Sequence, residues 1–266
     1  MHILLTNDDG IEAPGLLALR QELSFLGKVT VVAPEKECSG IGHSITLGSS
    51  IILRKVRDEE GDLRYAVEGT PADCVKIALG GLLEESFDIV VSGINWGANA
   101  GMNLLYSGTV AAALEAAYSG SLGVAASLER GPQADFGAAA QTTRFILEIF
   151  LRRKLPRRSA FSINIPARPL KEIKGIRVSP QSTEFFQEAF RRSSFPDGRE
   201  EISLVGRNDG PLASGASESA LLSRGFVTVT PVTFDLTEKS LLALLKKWSW
   251  ARRFQELVKR SQNLPL

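Results

Sequence analysis

Apolar residues along this chain gather in short runs, and polar, glycine-bearing stretches separate them. HILLT at residues 2–6 reads as a short buried strand. Pro14 suits the first turn of a helix through GLLALRQELSFL, with Leu16, Leu17, Leu19 and Leu23 on one side and Gly27 closing it. KVTVVAP is a second strand, ended by Pro34, and a loop with Gly40, Gly42 and Ser44 follows. SIILRKV and RYAVEG read as two strands around the polar turn RDEEGDL. TPADCVKIALGGLL opens a helix with Thr70 at the N-cap, Pro71 at the first helical position and Asp73 in the first turn. FDIVVSG is a near-continuous apolar run, the kind buried on both faces of a parallel sheet. A glycine-rich loop, INWGANAGMNLLYSG, leads to the alanine-rich helix TVAAALEAAYSG, with Thr109 as its expected cap. LGVAASL, the helix FGAAAQTTRFILEIFLRR and the strand AFSINIP continue the series.

Strand, loop and helix thus alternate through the first half of the chain. Such alternation predicts an α/β fold with a doubly wound, mostly parallel sheet. The pattern changes after Arg168. GIRVSP reads as a strand, but residues 180–224 are polar and broken by Pro196, Gly198, Gly206, Gly210, Pro211 and Gly215. That is long for a structureless loop, so an extended arm or hairpin that docks on a partner subunit is expected there. GFVTVTPV is a further strand. LTEKSLLALLKKWSWARRFQELVKR reads as an amphipathic helix capped by Thr237, its leucine stripe serving a core or an interface.

Composition narrows the function classes. A length of 266 residues suits one large domain, or one domain with an appendage. Hydrophobic content of 44% with 23% charged residues is ordinary for a soluble globular chain. The formal net charge of +1 gives no electrostatic case for a nucleic-acid polymer or a membrane surface. Cys38 and Cys74 make neither a disulfide framework nor a CxxC motif. A first strand at His2 leaves no room for a signal peptide, and no apolar stretch is long enough to span a bilayer. The expected setting is the cytoplasm.

The chemistry gathers in three loops that follow strands. The first carries Asn7, Asp8, Asp9 and Gly10. The second carries Cys38, Ser39, Gly40 and His43. The third carries Ser92, Gly93, Asn95, Gly97, Asn99 and Gly101, then Ser107, Gly108 and Thr109. Two adjacent carboxylates at a strand end repel one another and call for compensation. Carboxylates, a hydroxyl and amide oxygens suit Mg²⁺, Mn²⁺ or Ca²⁺. With only His2 and His43, and the cysteines in separate segments, a zinc site is disfavoured. Ser107, Gly108 and Thr109 before a helix make a phosphate cradle, or simply a helix cap. GINWGANAG has its glycines every fourth residue, so it is not a dinucleotide fingerprint, and no Walker motif occurs. Plain readings stand beside these. Asp8-Asp9-Gly10 and Ser39-Gly40 also read as turns, and Asn95 as an amide bonding backbone. His43 reads as a general acid near the leaving group or as a structural residue, and the basic run at 151–158 as a solvated helix end.

Four blocks occur in order and in spacing: ILLTNDDGIEAPGLLAL, VVAPEKECSGIGHSIT, VEGTPADCVKIAL and DIVVSGINWGANAGMNLLYSGTVAAALEAA. Together they resemble the SurE family of metal-dependent nucleotidases. FSINIP, KGIRVSP and GFVTVTPVTFDLTE extend the resemblance to nearly the whole chain. It implies a Rossmann-like core over residues 1–170. It also implies a C-terminal arm, returning strand and helix over 171–266, exchanged between subunits of a homodimer or homotetramer. One divalent cation per subunit follows, Mg²⁺ or Mn²⁺, with Ca²⁺ able to replace it in a crystal. The family's ligands fall on Asp8, Asp9, Ser39 and Asn95.

The expected reaction is hydrolysis of nucleoside 5′- and 3′-monophosphates, with short polyphosphate as a further substrate. Asp8 and Asp9 hold the cation, and one of them orients or deprotonates the attacking water. Asn7, Gly40, Ser107, Gly108 and Thr109 bind the phosphate. An aspartyl-phosphate is the alternative chemistry. Two other functions remain open on the same fold: a catalytically silent nucleotide-binding regulator, and a phosphatase for a non-nucleotide phosphomonoester. Trp96, Met102 and the Ser217-Glu218 pair depart from the family pattern, the last standing where a Thr-Asp pair is expected.

Overall fold

A computed structural model describes residues 1–57, 61–83, 85–153, 155–183, 187–207 and 215–262. The polar turn expected at 57–63, the arm at 180–224 and the basic run at 151–158 fall in part outside these residues. In chain order the elements begin with β1 (His2–Thr6), α1 (Pro14–Leu23), β2 (Lys28–Pro34), β3 (Ile52–Arg57) and β4 (Leu63–Glu68). Then come α2 (Pro71–Ile77), β5 (Ile89–Trp96), the short α3 (Asn103–Tyr106), α4 (Gly108–Tyr118), β6 (Leu122–Leu128) and α5 (Phe136–Arg152). β7 (Ala160–Ile165), β8 (Ile176–Val178), β9 (Gln187–Ser194), β10 (Glu200–Arg207), α6 (Glu218–Ser223) and β11 (Val227–Val232) follow. Last are α7 (Lys239–Leu245) and α8 (Trp250–Gln262).

Nine strands form one sheet in the order β3-β4-β2-β1-β5-β6-β7-β11-β8. β1 pairs in parallel with β2 on one side and with β5 on the other. The chain therefore reverses its winding direction at β1, and the loops after β2, β1 and β5 emerge side by side. That crevice is where open α/β sheets hold ligands. Within this sheet, among the described residues, β3 with β4 and β11 with β7 run antiparallel and the other pairs parallel.

Alternation along the strands feeds two cores. Ile3 and Leu5 of β1 pack with Leu16, Leu19 and Leu23 of α1 and with Ala139, Ile146 and Leu147 of α5. Leu4 faces the other way, with Val32, Val90, Cys74, Val75, Ala112 and Ala116, so α2 and α4 cover the second face. Each fully buried leucine or isoleucine contributes about 1.5–3 kcal/mol of hydrophobic stabilisation.

Three local expectations are corrected. Leu17 is exposed while Leu16, Leu19 and Leu23 are buried. At 100° per residue, Leu17 falls off the stripe the other three share. α2 ends at Ile77 and continues as a π-helical turn, Ala78–Leu82, because Gly81 adopts a positive φ. The expected single C-terminal helix is two, α7 and α8, and the cap is Glu238, whose carboxylate accepts from Ser240 N and Leu241 N, rather than Thr237.

By contacts the chain divides into Met1–Thr233 and Phe234–Leu266. The first unit holds the sheet, with β8 and β11 paired into it, and the two-stranded hairpin of β9 and β10. That hairpin falls within the stretch read as an arm or hairpin. The second unit holds α7 and α8, joined by a turn in which Trp250 Nε1 donates to Leu245 O at 2.8 Å. Among the described residues, no helix is long and apolar enough to cross a membrane.

Candidate active site

β1 delivers Asn7, Asp8 and Asp9 to the switch point. Asn7 Nδ2 donates to Gly10 O at 2.8 Å and closes the turn. Its Oδ1 is buried with no hydrogen-bond partner. The two acids then part company. Asp8 is 4% exposed and turns toward the start of α4, where its Oδ2 accepts from Thr109 N at 3.0 Å and its Oδ1 from Thr109 Oγ1 at 2.5 Å. Asp9 Oδ2 accepts from Trp96 N at 3.2 Å, at the end of β5.

The other two loops reach this pair through the residue next to each expected ligand. Cys38 N donates to Asp8 O at 2.7 Å, which sets Ser39 beside the first loop. Ser39 Oγ itself donates to Glu37 Oε1 at 2.6 Å. Trp96 bonds Asp9, and Asn95 precedes it with Nδ2 donating to Gly97 O at 2.7 Å. With that amide nitrogen engaged, Asn95 presents Oδ1 as its remaining polar group. Gly40 is exposed and makes no close contact at its Cβ position.

α4 begins against Asp8. Ser107 caps it, with Oγ accepting from Val110 N at 3.1 Å, so the cap expected at Thr109 lies two residues earlier. Thr109 is inside the first turn, and its hydroxyl and amide are both committed to Asp8. Gly108 has to be small: a Cβ there would stand 2.9 Å from Asp8 Cβ.

The electrostatics follow from burial. Burial pushes the Asp8 carboxyl above its ordinary value, with the Thr109 hydrogen bonds pulling the other way. Asp9 is pushed up to about 6, first by burial and then by the charge of Asp8. Arg130 offsets this in part, and its Nε donates to Trp96 O at 3.0 Å. Two acids raised in this way, an unpartnered buried amide oxygen and a set of oxygen donors fit a hard divalent cation. Among the described residues, no three His, Cys, Asp or Glu side chains cluster as a metal site. The expected set has only two carboxylates beside a hydroxyl and an amide, so it would not form such a cluster.

The family model for survival protein SurE matches residues 3–188. This chain belongs to the SurE family. It is similar to 5′-nucleotidase SurE of Rhodopirellula baltica, 43% identical over 94% of this chain and 99% of that one. It is also similar to 5′-nucleotidase SurE of a Thermoanaerobacter species, 38% identical over 93% and 98%. The crystal structure of SurE protein from Aquifex aeolicus superposes with a TM-score of 0.82, at 34% identity over 92% of this chain and 98% of that chain.

Within this SurE frame, sequence reasoning missed the residues that seat the third loop. Asn164 of β7 is fully buried, and its Oδ1 accepts from Asn99 N at 2.8 Å while its Nδ2 donates to Asn99 O at 3.2 Å. Glu218 is fully buried and accepts from Gly101 N at 2.7 Å, Ser182 N at 3.3 Å and Thr230 Oγ1 at 3.0 Å. Gln181 Nε2 holds Gly101 O at 2.9 Å. A signal existed for two of them: Asn164 interrupts an apolar strand, and Glu218 is an acid just before the apolar run ALL at 220–222.

Proposed function

We propose that this SurE-family protein is a 5′-nucleotidase, a phosphomonoesterase acting on nucleoside 5′- and 3′-monophosphates with the help of Mg²⁺ or Mn²⁺. The observation that carries the proposal is the contact between a buried acid pair and a helix start, made by the two hydrogen bonds from Thr109 to Asp8. A cation site and an anion cradle thereby share one crevice. Asp8, Asp9, Ser39 and Asn95 are the residues to hold the cation. When bound, it neutralises phosphate charge and polarises the phosphorus for attack.

The side chains divide the remaining work. Asp8 has both oxygens bonded to Thr109, so it is fixed in place. Asp9 has one oxygen bonded to Trp96 N and stays partly exposed, which makes it the acid that orients water or takes its proton. Asn7, Gly40, Ser107, Gly108 and Thr109 surround the phosphate position, Thr109 by holding Asp8. Trp96 and Tyr106 are partly exposed beside the crevice and offer aromatic faces to a base.

The assembly belongs to the same reading. A homodimer or homotetramer forms through the C-terminal region beyond residue 170, exchanged between subunits, and the protein works in the cytoplasm. Phe190 and Leu204 lie opposite one another on the β9–β10 hairpin and, with Ile202, are exposed. A two-stranded hairpin with an apolar face gains stability by covering it.

Purified protein is tested against nucleoside 5′- and 3′-monophosphates, p-nitrophenyl phosphate and short polyphosphate, each with Mg²⁺, Mn²⁺ or EDTA. Phosphate release from nucleotides that stops in EDTA is expected. Release from p-nitrophenyl phosphate alone points instead to a non-nucleotide phosphatase. No release under any condition overturns the enzyme.

A further inference from the structure

The segment between β2 and β3 has no regular secondary structure, yet it carries Ser39 and Gly40. Its position depends on what holds it. At its front, Cys38 N bonds Asp8 O. At its back, Thr46 N and Oγ1 donate to the Asp73 carboxylate at 3.0 and 2.7 Å, and Thr70 Oγ1 donates to Ser44 O at 2.8 Å. Between them lie two ties to the α3–α4 region. Gly42 N donates to Tyr106 O at 2.9 Å, with φ at +58° and the position of a Cβ 2.9 Å from Leu105 O. One residue on, His43 Nε2 lies 3.0 Å from Glu115 Oε2.

Glu115 is an unusual residue to find on the inner side of an alanine-rich helix. Its side chain is 5% exposed, and its second oxygen takes Lys76 Nζ at 2.7 Å. Burial works against its charge, but the hydrogen bonds and charges of His43 and Lys76 outweigh that and leave it below the ordinary glutamate value. A carboxylate kept ionised in the interior is a fixed anchor, and breaking one partner from it is costly. Lys76 comes from α2 and His43 from the Ser39 segment, so Glu115 joins that segment to both helices behind the site.

Helix geometry decides between a chemical and a positioning role for His43. Glu115 lies six residues beyond Thr109, so it stands about 9 Å further along the α4 axis, away from the Asp8 end. A general acid has to come within hydrogen-bond reach of the leaving oxygen. A ring anchored a turn and a half away serves the loop instead.

We propose that His43, held by Glu115, is a positioning residue that fixes the register of the Ser39–Gly40 loop against the acid pair. The inference rests on the metal-dependent reading of the site, and its test separates the two. Mn²⁺ alone is titrated calorimetrically into metal-free wild type, His43→Ala and His43→Gln, and amide hydrogen exchange is followed across residues 38–46. His43 is 37% exposed, so the substitutions spare the core. In His43→Ala, Mn²⁺ affinity is expected to fall about tenfold, in line with losing a residue that orients a ligand, while exchange at residues 38–41 rises. His43→Gln, whose amide still donates to Glu115, restores most of both. Rate also discriminates: kcat of His43→Ala returns toward wild type at saturating Mn²⁺. A kcat that stays low at every Mn²⁺ concentration makes His43 a proton donor and overturns the proposal. Unchanged exchange in His43→Ala, or no rescue by glutamine, overturns it as well. If wild type binds no Mn²⁺, the metal reading falls, and the exchange data still decide whether His43 places the loop.

Discussion

Asp9 is the residue at which stability and function oppose each other. Its folded carboxyl keeps a proton up to about pH 6, whereas the ordinary value is 3.8. Between those values folding takes up a proton, so the metal-free protein loses stability as pH rises from about 4 to about 6, and the loss is complete above that window. Asp9→Asn removes the ionisation. Thermal melts in EDTA are expected to show a flatter pH profile and a melting temperature about 2–4 °C higher at neutral pH, roughly 1 kcal/mol for a chain of this size. Metal-dependent phosphate release is lost in the same variant. A melt that falls together with activity would count against the repulsion argument. At this scale the acids of the candidate site were legible. Asp8 and Asp9 stood out because adjacent acids at a strand end need a reason. Thr109 was legible as a candidate but its bond to Asp8 was not, because a hydroxyl near a helix start can cap, bind anion or bond a neighbour. Only the fold, 101 residues apart in sequence, brings it to Asp8.

Among the elements, α4 carries the tightest constraint. Alanine at residue 108 would favour the helix by about 1 kcal/mol relative to glycine. Its Cβ would meet Asp8 Cβ at 2.9 Å, however, so the buried acid has to shift. Displacement of the acid is expected to win. Gly108→Ala is expected to lose about 1–3 kcal/mol in urea unfolding, the scale of overpacking a buried site, and roughly tenfold to a hundredfold in kcat/KM, the scale of a small misplacement of reacting groups. The third loop gives a complementary case. Glu218→Ala leaves Gly101 N, Ser182 N and Thr230 Oγ1 without their acceptor. Unsatisfied buried donors cost about 1–3 kcal/mol each, so urea unfolding should show a loss of about 3 kcal/mol, with kcat/KM falling in parallel. The mostly parallel character of the sheet was readable from the apolar runs, because a strand buried on both faces needs helices on each. Element ends were less so. Ser107 and Thr109 are equally good caps by residue type, and the break between α7 and α8 falls in a stretch, KKWS, that carries no proline or glycine.

For the whole molecule, the apolar hairpin makes a prediction about assembly. Leu204→Glu, with Phe190→Ser opposite it, places polar groups on the exposed face of β9 and β10. Light scattering after gel filtration is expected to show a smaller species than wild type, with the sheet intact by circular dichroism. An unchanged mass removes the hairpin from the interface. The seating of the third loop has a consequence in time. Every residue assigned to the cation or the phosphate has been synthesised once Thr109 is joined to the chain. Asn164, Gln181 and Glu218 come much later. A chain still on the ribosome thus carries the residues proposed for the cation and the phosphate before those that seat the third loop, and hydrolysis is expected to wait until Glu218 has been joined.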